Sequence, residues 1–327
     1  MNPAASAMSR MMLYVVLATV PFSAYKTSVY GIGVLVHLLL CVAACMVTEF
    51  VCMRLRYRAG RPIDTSAILT GTLIACCVPA LAPWYVSVFA SVAAVGLAKH
   101  AFGGAGSNVF NPAMTGYALL LILFPEAMTR WPAESVTSFD SIRAIFGATA
   151  AGRWDTLTGA TSLVELRSGL GQMKMLGEIL TTGDNAARGL GTWGTASIVA
   201  GGLFLLRMNV IRWQLPVSTL LGAAFCAGVL SAIDPDRFAS ATFHLSTGGI
   251  LFAAFFIVTD PVTAARRGKA RLVYGSGIGV LAILMRTLSA YPDGVAFAVL
   301  LMNALVPLLN ELDRPTKPPS AARADVA

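Results

Sequence analysis

The sequence predicts an all-α polytopic membrane protein of about ten transmembrane helices in two inverted five-helix halves, with one extracytoplasmic loop domain between them. Three observations carry this. Hydrophobic residues make up 56% of the 327 and charged residues only 12%, about half the charge of an ordinary soluble domain. That little charge cannot clothe a water-soluble globule of this size, and a disordered chain needs the opposite balance. The apolar residues gather into ten long runs. The basic residues gather into the connections on one side of those runs.

The runs lie at about 11–25, 31–53, 64–81, 85–102, 112–125, 190–208, 213–233, 246–260, 274–289 and 294–310. Arg10 precedes the first, and no small-residue cleavage site follows it before Tyr25-Lys26, so it reads as a retained span and not a signal peptide. Gly31–Met53 would extend roughly 34 Å as a helix, enough for a ~30 Å hydrocarbon core. Several other runs are short, and short or broken spans survive where protein surrounds the backbone. Prolines sit late in the third run (Gly71 to Pro79) and in the eighth, which ends in Thr259-Asp260-Pro261.

If the ten runs alternate, Arg10, the arginines at 54, 56, 58 and 61, Arg207 with Arg212, the cluster Arg266, Arg267, Lys269 and Arg271, and Arg314, Lys317 and Arg323 all share one face. The short loops of the other face hold Lys26 and Arg237. The first face is therefore cytoplasmic, and so are both termini. The net charge of +8 reads as this bias towards the lipid bilayer's inner side, and nucleic acid is excluded as a partner. The predicted organisation is a first membrane half at 1–125, an outside loop domain at 126–189, a second half at 190–310 and a disordered cytoplasmic tail at 311–327.

The segment 126–189 is polar, with six basic and seven acidic residues, and alternation places it outside. Loops of that length usually have a function. The six cysteines all fall in apolar stretches without a CxxC pair, so they read as small buried hydrophobes. No spacing of ligand-type residues suggests a metal site. His37 and His244 read as structural.

The outside loop contains Asp155-Thr-Leu-Thr158-Gly159-Ala160-Thr161. This fits Asp-x-x-Ser/Thr-Gly-Ala-Thr, the acceptor pattern for FMN carried on threonine through a phosphoester. A hydroxyl must be offered to the phosphorus of FAD held by a separate flavin transferase. Gly159 and Ala160 clear room for that approach, Asp155 helps place the loop, and Thr161 Oγ would carry the group. A second run, Gly103-Gly-Ala-Gly-Ser-Asn108-Val-Phe-Asn111-Pro-Ala-Met-Thr-Gly-Tyr117, places three glycines ahead of an Asn-Pro break. Such backbone suits a non-helical crossing that lines a cavity or ligand. Asn108 and Asn111 each offer an amide donor and acceptor, suited to a flavin's pyrimidine edge.

These two motifs together resemble the family of D subunits of the Rnf ion-translocating electron-transport complex and the related B subunits of the sodium-pumping NADH:quinone reductase. The likeness covers nearly the whole chain, including Leu73–Pro83 and Gly294–Leu309 with Asn303. Length and the short N-terminus are closer to the Rnf type. The resemblance implies FMN covalently on Thr161, riboflavin beside Asn108 and Asn111 near the cytoplasmic side, and two inverted halves like those of urea and ammonium channels. It further implies a bacterial inner-membrane complex in which the A, B, C, E and G subunits are partners. That complex passes electrons between ferredoxin and NAD redox partners and couples them to Na⁺ or H⁺ movement, with no turnover expected of this chain alone.

Charges inside apolar runs are costly and therefore candidates for the ion path. Glu49 and Asp260 are the carboxylates of that kind, alongside Lys99-His100 and Arg286. Two alternatives compete. One is the quinone-reductase B subunit itself; the other is a flavin-free urea-type channel, which leaves the Thr-Gly-Ala-Thr loop idle.

Overall fold

The computed structural model describes residues 3–56, 65–132, 136–147, 158–159, 161–172, 174–182, 190–289 and 293–312. Helices dominate them. The first five are α1 (Pro3–Tyr30), α2 (Gly33–Arg56), α3 (Thr65–Cys77), α4 (Trp84–Ala93) and α5 (Pro112–Leu123). Three short helices follow, α6 (Ser138–Ile145), α7 (Ser162–Gly171) and α8 (Leu176–Thr182). The last six are α9 (Gly191–Arg207), α10 (Gln214–Ile233), α11 (Ala241–Ser246), α12 (Ile250–Phe256), α13 (Gly268–Leu288) and α14 (Val295–Leu312).

Four helical stretches, Ala7–Tyr30, Gly33–Arg56, Gln214–Ile233 and Gly268–Leu288, are long and apolar enough to cross a membrane, and Thr65–Cys77, Pro112–Leu123 and Val295–Glu311 are shorter apolar helices. Leu39, Val47, Leu221 and Phe225 are more than half exposed on these helices. An apolar exterior of this kind belongs against lipid or partner subunits. The chain is a multi-pass helical membrane protein.

Three sequence expectations are corrected in detail. The run at 64–81 is helical only to Cys77, because Pro79 and Pro83 cannot donate to a continuing ladder. Of the run at 246–260 only Ile250–Phe256, α12, is α-helix; α11 ends at Ser246, and the two are separated at Thr247–Gly249, where Gly248 takes a φ of 67°. Lys26 is not in a loop. It lies in the last turns of α1, 3% exposed, and donates to the Cys76 carbonyl at 2.9 Å.

At the other end of the first group of helices, α4 passes into a π-helical turn, Ala94–His100, a form that concentrates at functional sites. The chain then runs irregularly to Asn111, with positive φ at Gly103, Gly104 and Gly106. Asn111 caps α5, its Oδ1 accepting from the Met114 amide at 3.1 Å, and Pro112 occupies the first helical position where no donor is missed.

Helix contacts rest on small residues. α10 packs on α13 where Gly222 faces the Ser276 backbone and Gly279 faces the Thr219 carbonyl, and a Cβ at either glycine would collide with main chain. α9 meets α1 in the same way, Gly201 lying against the Ala18 carbonyl. Small residues let helix backbones approach closely, and packing replaces the hydrophobic drive that lipid removes. Gly279→Leu is expected to destabilise the fold by about 3 kcal/mol, read as a lowered melting temperature of the detergent-purified chain. Wild-type melting would contradict the backbone contact.

Candidate functional site around Thr161

A cavity of about 470 Å³ lies between the helices and the segment that follows α5. Its position follows from local pairing. A two-residue strand, β1 (Trp131–Pro132), pairs antiparallel with β2 (Thr158–Gly159), Trp131 opposite Gly159. This brings residue 161 to the head of the aromatic pair Tyr30–Trp131, whose centroids are 5.5 Å apart. Thr161 then caps α7: its φ and ψ of −73° and 158° are extended, and Oγ1 accepts from the Val164 amide at 3.4 Å. Thr161 is half-buried and lines the cavity. Lys26, Tyr117, Trp131 and Asp293 also line it, with Lys26 Nζ 4.9 Å from the Trp131 ring centroid.

The break between α11 and α12 also lines the cavity. Arg286 of α13 donates from Nη1 to the carbonyls of His244 (2.9 Å) and Thr247 (3.2 Å). Its Nη2 meets Asp293 Oδ1 at 3.2 Å, while Asp293 Oδ2 accepts from the Gly249 amide at 3.0 Å. The pair thus satisfies backbone groups that the interrupted helix leaves without partners.

The remaining expected residues fall elsewhere. Glu49 is 1% exposed in α2 and accepts from Lys99 Nζ at 2.8 Å and meets His100 Nε2 at 2.9 Å. Lys99 also reaches Ser66 Oγ at 2.6 Å. This cluster lies near the C-terminal end of α2, whereas the Thr161 cavity lies beyond its N-terminal end. The sixteen residues from Gly33 to Glu49 span roughly 24 Å of helix. A third cluster joins the two groups of helices. Asn111 Nδ2 reaches the Ile257 carbonyl (3.5 Å) and Asp260 Oδ2 (3.4 Å), and its amide donates to Asn303 Oδ1 at 3.0 Å. Asn303 Nδ2 in turn donates to the Tyr274 hydroxyl at 2.7 Å. Asp260 also accepts from the Val262 amide and the Thr263 hydroxyl, both at 3.0 Å. Asn108, 8% exposed, donates to the Phe110 carbonyl at 3.3 Å.

Thr161 therefore stands apart from Asn108, Asn111, Glu49 and Asp260, while Asn111 and Asp260 meet. Thr158 and Gly159 supply β2, and Asp155 and Ala160 lie outside the described residues. Sequence reasoning did not find Lys26, Trp131 or the Arg286–Asp293 pair as parts of one site. Only Arg286 left a signal, as a charge inside an apolar run.

The family described as NQR2, RnfD, RnfE matches residues 3–318 of the chain. The chain belongs to this family. Its relatives within the NQR2, RnfD, RnfE family include the D subunit of the ion-translocating oxidoreductase complex of Cronobacter sakazakii, 42% identical over 94% of this chain and 93% of that protein. The D subunits of the same complex from Pectobacterium atrosepticum (42%) and Escherichia fergusonii (40%) match over the same shares. In this NQR2, RnfD, RnfE family chain, the Arg286 side chain is 1% and that of Asp293 17% exposed. Arg286→Gln leaves the carboxylate without its cation and is expected to cost about 3–5 kcal/mol of stability, measured by thermal unfolding in detergent. A change below about 1 kcal/mol would show that the pair is dispensable.

Proposed function

We propose that the chain is the D-type membrane subunit of an Rnf-type ion-translocating oxidoreductase complex and carries FMN on Thr161. The observation that carries the flavin assignment is the placement of Thr161 Oγ1 on the wall of the aromatic cavity, at the start of α7. The fit is physical. A volume of about 470 Å³ is in the range of small-molecule pockets. Tyr30, Trp131 and Tyr117 offer faces for a planar ring. The first amides of α7 and the helix dipole favour a phosphoryl group esterified at its cap. When bound, FMN supplies exchange of one or two electrons with redox partners. The protein's share is to tether the phosphate at Thr161, stack the ring, and keep water out with apolar side chains such as Phe22 and Phe252.

The same reading extends to architecture and partners. α2 packs on α3 and α4 as α10 packs on α12 and α13, a parallel that fits two related halves; their inverted relation and urea- and ammonium-channel type are what the family resemblance implies. Both termini would be cytoplasmic in a bacterial inner membrane, with 126–189 periplasmic as the flavin-bearing loop domain and 311–327 a cytoplasmic tail. The A, B, C, E and G subunits would be the partners, with a flavin transferase for maturation. Electrons would pass between ferredoxin and NAD redox partners, coupled to Na⁺ or H⁺ movement. For a second, riboflavin-type group at the cytoplasmic end, Asn108 is the better placed residue, because Asn111 is engaged in capping α5 and joining it to Asp260.

Thr161→Ala is expected to abolish covalent flavin. A denaturing gel viewed under blue light reads this directly, and a fluorescent Thr161→Ala band would defeat the assignment. The buried Glu49 and the inter-group Asp260 are the proposed ion-path carboxylates. Glu49→Gln in the assembled complex is expected to lower ion uptake by inverted vesicles at least tenfold while the flavin band persists. Undiminished uptake would remove Glu49 from the path.

A further inference from the structure

Among the described residues, three lysine or arginine side chains are buried: Lys26, Lys99 and Arg286. Two of them have a carboxylate. Lys99 is paired with Glu49 and Arg286 with Asp293. Lys26 has none within salt-bridge distance among the described residues. Its neighbours are one carbonyl, that of Cys76 at 2.9 Å, and the face of Trp131 at 4.9 Å. An ammonium has three donors, so a single carbonyl leaves it under-coordinated. A buried charge without its counter-charge is strongly unfavourable. Asp293, the carboxylate that lines the same cavity, is engaged by Arg286 and the Gly249 amide. The cavity therefore holds an amine with donors to spare, whose charged form nothing among the described residues neutralises.

We propose that Lys26 is an anion subsite for the reduced ring of the cavity's flavin, a residue that sets its potential. This rests on the Thr161 reading above. The phosphoryl group already has donors at the start of α7, whereas Lys26 leaves α1 beside Trp131, where the wall is aromatic and suits the ring. The step balances simply. The oxidised ring takes two electrons and one proton; N5 receives the proton, and N1 with the adjacent C2 carbonyl keeps one negative charge. The electrons come from the complex's redox partners, or from dithionite in a titration. Lys26 hydrogen-bonds that N1–C2=O edge and makes the charge cheaper to form, in an enclosure where such an interaction is much stronger than in water.

The test uses the full chain, flavinylated by the transferase and titrated with dithionite while the visible band bleaches. Lys26→Gln keeps a donor for the Cys76 carbonyl and removes only the charge. It is expected to lower the equilibrium constant for reduction about tenfold, about 30 mV for a two-electron couple. Lys26→Arg keeps the charge and is expected to restore most of the potential. A wild-type measurement stands beside these: in mildly acidic buffer the potential should fall about 30 mV per pH unit, one proton for two electrons. Twice that slope overturns the proposal, as does a fluorescent Lys26→Gln chain with the wild-type potential, or one whose loss Lys26→Arg does not reduce. Loss of covalent flavin from Lys26→Gln would move the charge to the phosphate and overturn the ring assignment. A wild-type chain without a fluorescent band overturns the Thr161 reading itself, and the Lys26 proposal with it.

Discussion

The site depends on one buried ion pair. A helix cannot be broken among apolar neighbours unless the freed backbone groups find partners, since water is not there to supply them. Arg286 and Asp293 are those partners. Arg286 takes the carbonyls of His244 and Thr247, Asp293 takes the Gly249 amide, and the two bind each other. The break between α11 and α12 is thereby held open, and that break lines the cavity. Gly248 completes it, because its positive φ would strain any side chain and a Cβ there would strike Arg286. Without the pair those backbone groups would lose their partners.

A second constraint separates the charges along the molecule. Thr161 and Lys26 lie at one end of α2, and Glu49 with Lys99 and His100 at the other. Between them along α2 sit buried Cys41 and Cys45 together with the buried His37, whose Nδ1 meets Ser87 Oγ at 2.7 Å. The Asn111–Asp260–Asn303–Tyr274 network joins the two groups of helices. On the proposed reading, redox chemistry at one end and ion handling at the other would communicate through helix positions. The small-residue contacts of α10 on α13 suit that role, because backbones in direct contact transmit displacement with little slack.

The membrane class was legible because composition and basic clustering are bulk properties that tertiary structure cannot hide. Helix existence was legible for the same reason, Gly33–Arg56 and Gln214–Ile233 reading as apolar runs wherever they pack. The ends were not. Thr247-Gly248-Gly249 looks like tolerable small residues inside an apolar run until Arg286 and Asp293, some 40 positions later, supply partners. The Thr158–Thr161 segment stood out because its pattern is contiguous in the chain. Lys26 did not, because positive-inside counting treats every lysine near a span end as a solvated one. Burial beside Trp131 depends on a pairing, Trp131 with Gly159, that joins residues far apart in the chain.

On the proposed reading, the position of Thr161 also reconciles two demands that pull apart. A flavin that exchanges electrons at a controlled potential wants an enclosed, largely apolar seat. Attachment by a separate enzyme wants an accessible hydroxyl. An acceptor in the middle of a membrane helix would meet the first demand and fail the second; one on an exposed loop tip would do the reverse. Thr161 sits where the two zones meet, half-buried, outside the long apolar helices yet on the wall of the cavity they enclose. Its role as cap of α7 fixes the direction of the hydroxyl, and the strand pair Trp131–Gly159 fixes the height of the helix start above the cavity floor. The tether is short, so these two local features decide how deep a ring attached there can reach. On that geometry the aromatic face at Trp131 and the buried ammonium of Lys26 belong to the same seat.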